Sequence, residues 1–255
     1  MMGQRGIFIK NQQEIESMRR AGHINALALE AVRSLIQPGI TTADLDAAAT
    51  EVIRKRDAKP AFLGVPGAYP YPATITVSVN DEMVHGIPGK RKLKDGDIIS
   101  VDCGTIFEGF VGDSAFTVGV GEISSPAQRL IEVTEMALSI GIDKLRAGNR
   151  IGDVGAAIQS YVEGEGFHLT REYTGHGVGR SMWEGPQVPN YGFAGRGMVL
   201  RTGMTIALEP MVLVGTPRTK VLPDQWTVAS ADGSLTAHFE HSVAITNNGP
   251  LILTV

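Results

Sequence analysis

The sequence predicts an α+β fold of two pseudo-symmetric halves, each running helix, helix, strands, packed as one domain around a central antiparallel sheet. Three observations carry this. First, two stretches of helical periodicity give way to short apolar runs of strand length. Second, that order recurs. Leu35 to Gly39 followed by Asp44 to Ala48 resembles Leu145 to Gly148 followed by Asp153 to Ala157, at an offset of 109 residues. Leu93 to Asp102 likewise resembles Leu200 to Glu209, at an offset of 107. Third, 43% hydrophobic and 20% charged residues in a chain of 255 suffice for a substantial core. The expected organisation is a single domain over 1–255, with halves at about 10–120 and 125–250.

The elements follow in order. Over 12–36, Ile15, Met18, Ala21, Ile24, Ala28, Val32 and Leu35 recur every three or four residues, and Pro38-Gly39 ends the helix. Thr41, with Asp44 three residues on, has capping-box spacing and opens a second helix to about Asp57. Residues 60–72 hold four prolines with Phe62, Tyr69 and Tyr71, which excludes a helix or central strand and predicts an aromatic-bearing loop. Strands are expected over Thr74–Val79, Asp97–Asp102 and Val111–Val118. In the second half, Thr205 to Leu208 precede Glu209, and Glu240 begins another strand to Thr246, with an inserted loop expected at 215–236.

Composition excludes several classes. With 23 Lys+Arg against 27 Asp+Glu, the net charge of −4 argues against a dedicated nucleic-acid binder. One cysteine, Cys103, excludes an internal disulfide framework and a Cys-rich zinc ribbon. No apolar run approaches the ~20 residues of a membrane helix, and the opening residues lack the apolar stretch of a signal peptide. The expected setting is cytoplasmic, without a membrane partner.

The chemistry lies in the acids. Asp102 and Glu209 occupy equivalent places in the repeat, each closing an apolar run. A strand, a turn and a returning strand would bring Asp113 beside Asp102, and Glu240 stands to Glu209 in the same way. Close ionised carboxylates repel, so they need a cation or a shared proton. Singly, each reads as an ordinary strand-end acid in a salt bridge. Together, apolar-flanked and repeat-related, they read as a two-ion site, joined by His176 or His85 from glycine-flanked turns. Oxygen-rich ligation with an imidazole suits Mn²⁺, Fe²⁺, Co²⁺ or Zn²⁺. His23, His168, His238 and His241 have no comparable setting and are expected in solvent or on helix faces. Cys103 reads as a small buried residue, and Lys90-Arg91-Lys92 with Lys94 as a solvated loop.

Six segments then resemble the motifs of type I methionine aminopeptidases in their short bacterial form. They are Val79 to Pro88, Val101-Asp102-Cys103-Gly104, Phe110 to Asp113, Thr174 to Arg180, Ala207 to Met211, and His238-Phe239-Glu240-His241-Ser242. The resemblance covers about residues 10 to 250 and implies the pita-bread α+β fold. It implies a cytoplasmic monomer that removes the initiator methionine from new polypeptides when the next residue is small, working near the ribosome. Arg218 and Lys220 are then candidate ribosome contacts. By resemblance, Asp102 holds one of two divalent ions, Asp113 and Glu240 bridge, and His176 and Glu209 complete the other site. Glu209 then shuttles a proton to the leaving amine, and His85 bonds near the scissile amide. Phe62, Tyr69 and Trp226 wall the methionine pocket, with Thr76 and Met182 nearby.

One departure stands out. The family normally places a second histidine seven residues after the ligand histidine, against the substrate. Here Trp183 takes that place. Trp183 donates one hydrogen bond and does not titrate near neutrality, so metal binding is expected to survive while turnover or preference after the cut changes. Two rivals remain at this point. One is a Xaa-Pro aminopeptidase or prolidase on the same fold. The other is a catalytically impaired relative acting as a binding protein.

Overall fold

The structure is a computed structural model describing residues 6–255. Helix α1 (Gln12–Leu35) starts at a capping box between Asn11 and Glu14 and buries Met18, Ala21, Ile24, Ala28 and Val32, the stripe its periodicity predicts. Helix α2 (Thr42–Lys55) is capped by Thr41 and Asp44. It stops short of Asp57, which takes a left-handed φ of 54° and turns the chain out of the helix. The strands of this half are β1 (Lys59–Pro60), β2 (Ile75–Val79), β3 (Glu82–Val84), β4 (Ile98–Phe107) and β5 (Phe110–Gly119). β4 and β5 form one long hairpin closed by Glu108-Gly109, both with positive φ (48° and 76°), the two-residue turn that suits strand twist. Asp102 therefore lies in mid-strand and does not end its strand. The prediction stopped at a charged residue that the site, rather than solvent, accommodates.

The second half opens with α3 (Ser125–Lys144) and α4 (Ile151–Gly164). The first strands that follow are β6 (His168–Leu169), β7 (Gly175–Gly177), β8 (Glu184–Val188), β9 (Thr205–Leu208) and β10 (Met211–Leu213). The last are β11 (Thr219–Val221), β12 (Val228–Ser230), β13 (Thr236–His238), β14 (Glu240–Thr246) and β15 (Gly249–Ile252). The repeat has a local cause. Asp44 accepts from the Thr41 N–H and Asp153 from the Arg150 N–H, each three residues before it. Gly39 and Gly148 both hold φ at 94°, and Gly96 and Gly203 hold 89° and 88°. The expected loop at 215–236 is in part sheet: β11 pairs with β12, which pairs with β3 of the first half.

The main sheet runs β1-β4-β5-β14-β9-β7-β8, with β2 on β4 and β15 on β14, and its pairings are antiparallel. The halves meet where β5 pairs with β14. Val101 and Cys103, on either side of Asp102, point into the core beneath the helices with Ala28, Val32 and Leu130. Asn25 of α1 fastens that packing: its amide donates to the Cys103 and Gly112 carbonyls and its oxygen accepts from Ser114. No described helix is long and apolar enough to cross a membrane.

Candidate metal centre

Strand register assembles the site. Residues directly opposite each other in an antiparallel pair share a face, as do residues two apart on one strand. Asp102 lies opposite Ala115, and Ala115 lies opposite Glu240. Asp113 is two residues from Ala115, so it shares that face. On β9, Ala207 lies opposite His176, and Glu209 follows two residues later. His241 lies opposite Leu208, which puts Glu240 next to Glu209. The five residues predicted as ligands thus come from β4, β5, β7, β14 and the end of β9 onto one face at the seam between the halves.

The distances agree. Ligand atoms of Asp113, His176 and Glu240 lie within 4.8 Å of one another. His176 Nε2 is 3.7 Å from Asp113 Oδ2 and 3.5 Å from Glu209 Oε1. Its Nδ1 is 2.9 Å from the Gly177 carbonyl, which places the proton on Nδ1 and turns the Nε2 lone pair toward the acids. The flanking glycines are required by close approach. A Cβ on Gly175 would sit 2.7 Å from the Ala207 carbonyl oxygen, and one on Gly177 would sit 2.1 Å from that of Gly185.

These acids are buried together. Burial pushes the Asp113 carboxyl up to about 7. Burial first, then the neighbouring negative charges, pushes Asp102, Glu209 and Glu240 well above the ordinary carboxylate range. Asp102 Oδ1, Asp113 Oδ1 and Glu240 Oε1 are buried without a hydrogen-bond partner among the described residues. Orphaned carboxylate oxygens are costly. Oxygens beside an imidazole lone pair form the donor set of a divalent cation, so the residues fit a metal.

The acids open into a cavity of about 1110 Å³ whose lining includes Phe62, Tyr71, Thr76, His85, Trp183 and Trp226. Tyr69 does not line it, contrary to expectation. Its ring lies edge-on outside Trp226, with centroids 6.3 Å apart, and its hydroxyl donates to the Asp224 carbonyl. Tyr71 takes the wall, its ring 5.1 Å from that of Trp226 and its hydroxyl within 2.9 Å of the Gly86 carbonyl. The two tyrosines sit two residues apart in one Pro-rich loop, and nothing local distinguishes them. Met182 is buried beneath the wall in the cluster that holds Phe62. His85 follows β3 with a left-handed φ of 62°, faces the Tyr173 ring, and is pushed down to about 4 by burial. Trp183 lies beside His176, with ring centroids 6.5 Å apart.

His238, expected in solvent or on a helix face, is in fact buried at the site. Its Nε2 lies 3.9 Å from Glu209 Oε2 and 3.8 Å from Glu240 Oε2. Its position two residues before Glu240 was the available signal, masked by the break at Phe239 between β13 and β14. Cys103 is fully buried, as expected, and burial pushes its thiol up. Lys90, Arg91 and Lys92 are exposed, with Arg91 paired to Glu82.

This chain is similar to known metallopeptidases. The pattern of metallopeptidase family M24 matches residues 16–247. A methionine aminopeptidase of Clostridium perfringens is 49% identical over 249 residues, covering 98% of this chain and 99% of the relative. The crystal structure of a methionine aminopeptidase from Thermotoga maritima superposes with a TM-score of 0.95 at 48% identity, covering 98% of this chain and 99% of that one. A prolidase from Pyrococcus furiosus, at 21% identity and a TM-score of 0.78, covers 97% of this chain and 65% of its own, and it shares the fold alone.

Proposed function

This chain belongs to metallopeptidase family M24, and we propose that it is a divalent-metal-dependent methionine aminopeptidase that releases the initiator methionine of new polypeptides when the next residue is small. One observation carries the reading: three buried carboxylates, the half-buried Glu209 and His176 share one face and open into a cavity walled by Phe62, Tyr71 and Trp226. The wall supplies the apolar, polarisable surface that a methionine thioether packs against.

Asp102, Asp113, His176, Glu209 and Glu240 would hold two ions. Four carboxylates carry four negative charges when ionised, which two divalent cations balance. A bound divalent ion supplies Lewis-acid polarisation of the scissile carbonyl and acidifies water. Glu209 is the acid placed to move a proton: its side chain is 14% exposed toward the cavity, against 4% for Asp113 and 3% for Glu240. It would carry a proton to the leaving amine. His85, held neutral by burial, would hydrogen-bond near the scissile amide. Exposed Arg218 and Lys220 would be the surface cations offered to a ribosome near the nascent-chain exit.

The test is release of free methionine from Met-Ala-Ser and Met-Gly-Met-Met by metal-stripped protein, with Mn²⁺, Co²⁺, Fe²⁺ or Zn²⁺ added back. Metal-dependent release is expected. No release with any ion, from folded protein that binds them, would sink the reading in favour of a binding protein. Cleavage of Ala-Pro peptides in preference to Met-Ala peptides would return it to the prolidase branch.

Trp183→His adds a titratable group with two ring nitrogens beside His176. A hydrogen bond to substrate is worth roughly 1 kcal/mol, so kcat/KM should shift about fivefold on at least one of several peptides differing after the cut, with metal affinity unchanged. Equal rates on all of them would show that Trp183 does not tune turnover.

A further inference from the structure

His238 lies outside the predicted ligand set, yet its surroundings give its ring a specific task. The side chain is 2% exposed, and among the described residues its Nε2 has no hydrogen-bond partner. Carboxylate oxygens of Glu209 and Glu240 lie 3.9 and 3.8 Å from that nitrogen. Carboxylates offer only acceptors when ionised, so the arrangement places the ring proton on Nε2, facing both. The backbone beneath the ring is tightly held. The His238 N–H donates to Thr117 Oγ1 at 2.9 Å, Thr117 Oγ1 lies 2.7 Å from the His238 carbonyl, and Ser100 Oγ lies 2.8 Å from Thr117 Oγ1. Across β10, His238 lies opposite Met211. With its backbone held in this way, the ring lies beside two acids, where it can orient them.

We propose that His238 is a positioning residue whose Nε2–H holds the Glu209 and Glu240 carboxylates in the orientation a divalent ion requires. The gap of just under 4 Å is too long for a hydrogen bond, and the donor would close on whichever carboxylate oxygen an ion leaves available. Donors behind ligating groups typically change metal affinity by about 10- to 100-fold. The inference rests on the metal reading of the acid cluster.

Two nearly isosteric substitutions separate the donor from its volume. His238→Met fills the space without an N–H, and His238→Gln keeps one. Metal-stripped wild type and both variants are titrated calorimetrically with Mn²⁺, and their metal-free melting temperatures are measured. We expect His238→Met to weaken Mn²⁺ binding about 10-fold or more and His238→Gln to stay within a few-fold of wild type. If wild type binds Mn²⁺ but His238→Met binds equally well, the positioning role is wrong while the metal site stands. Equal weakening in both variants, or a metal-free protein that neither variant allows to fold, assigns His238 to packing and overturns the proposal. If wild type itself binds no Mn²⁺, the metal reading fails and takes this one with it.

Discussion

Asp113→Ala is expected to lower metal-dependent methionine release to about a thousandth of wild type or less. Asp113 stands between the halves. Its neighbours Asp102 and Glu240 are aligned across β4, β5 and β14, and its Oδ2 lies 3.7 Å from His176 Nε2. Ser242 Oγ grips its backbone, 3.0 Å from the N–H and 2.9 Å from the carbonyl, so the strand keeps its place when the side chain is cut back. Removing the ligand proposed to be shared between two ions would forfeit several kcal/mol of charge stabilisation, and about 1.4 kcal/mol is a tenfold change in rate. The fold should not suffer. A carboxyl that burial already pushes up to about 7 is a cost to the metal-free protein, so the variant's metal-free melting temperature should equal or exceed that of wild type. Peptide turnover with saturating Mn²⁺, alongside thermal melts, checks both halves of this expectation. Retained turnover would remove Asp113 from the ligand set.

Lys10→Met is expected to destabilise the protein by roughly 3–5 kcal/mol, because it leaves the buried Glu184 carboxylate without its counter-charge. The Lys10 ammonium pairs with Glu184, the two side chains being 4% and 3% exposed. Glu184 also accepts from the Arg180 N–H at 2.8 Å. Through this pair, the segment carrying Ile7, a cavity-lining residue, is pinned to the turn that carries Trp183. Gly179 permits it, since a Cβ there would sit 2.4 Å from Lys10 Cε. For a chain of this size, the loss should lower the melting temperature by roughly 10 °C. Adding Glu184→Gln to Lys10→Met should recover part of it, because the amide oxygen still accepts from Arg180 without burying a charge. A single variant that melts with wild type would show that the pair contributes nothing net.

The helices and the acid cluster were legible for different reasons. The stripe of α1 and the Thr41/Asp44 cap obey one-dimensional spacing, so the pattern that makes them is written in consecutive residues. The acids were legible because each interrupts or borders an apolar run and has a counterpart in the other half. Less legible were features that depend on register or on distant partners. Asp102 looked like a strand end, and only its placement opposite Ala115 puts it in mid-strand on the face shared with Glu240. Tyr69 and Tyr71 had equal claims to the cavity wall. His238 lacked the glycine flanks that drew attention to His85 and His176.

From composition, periodicity and repeat alone follow the α+β class, the two-helix opening of each half, and four paired carboxylates with glycine-flanked histidines as candidate metal ligands. These rest on interactions within a turn or a strand, where neighbours in sequence are neighbours in space. Which tyrosine meets the cavity, which histidine backs the acids, and how 215–236 becomes sheet against β3 were settled by packing between segments far apart in sequence. The pairing of β5 with β14 is the decisive contact: it brings carboxylates from opposite halves so close that they repel unless a cation or a shared proton lies between them, and no local pattern contains that distance.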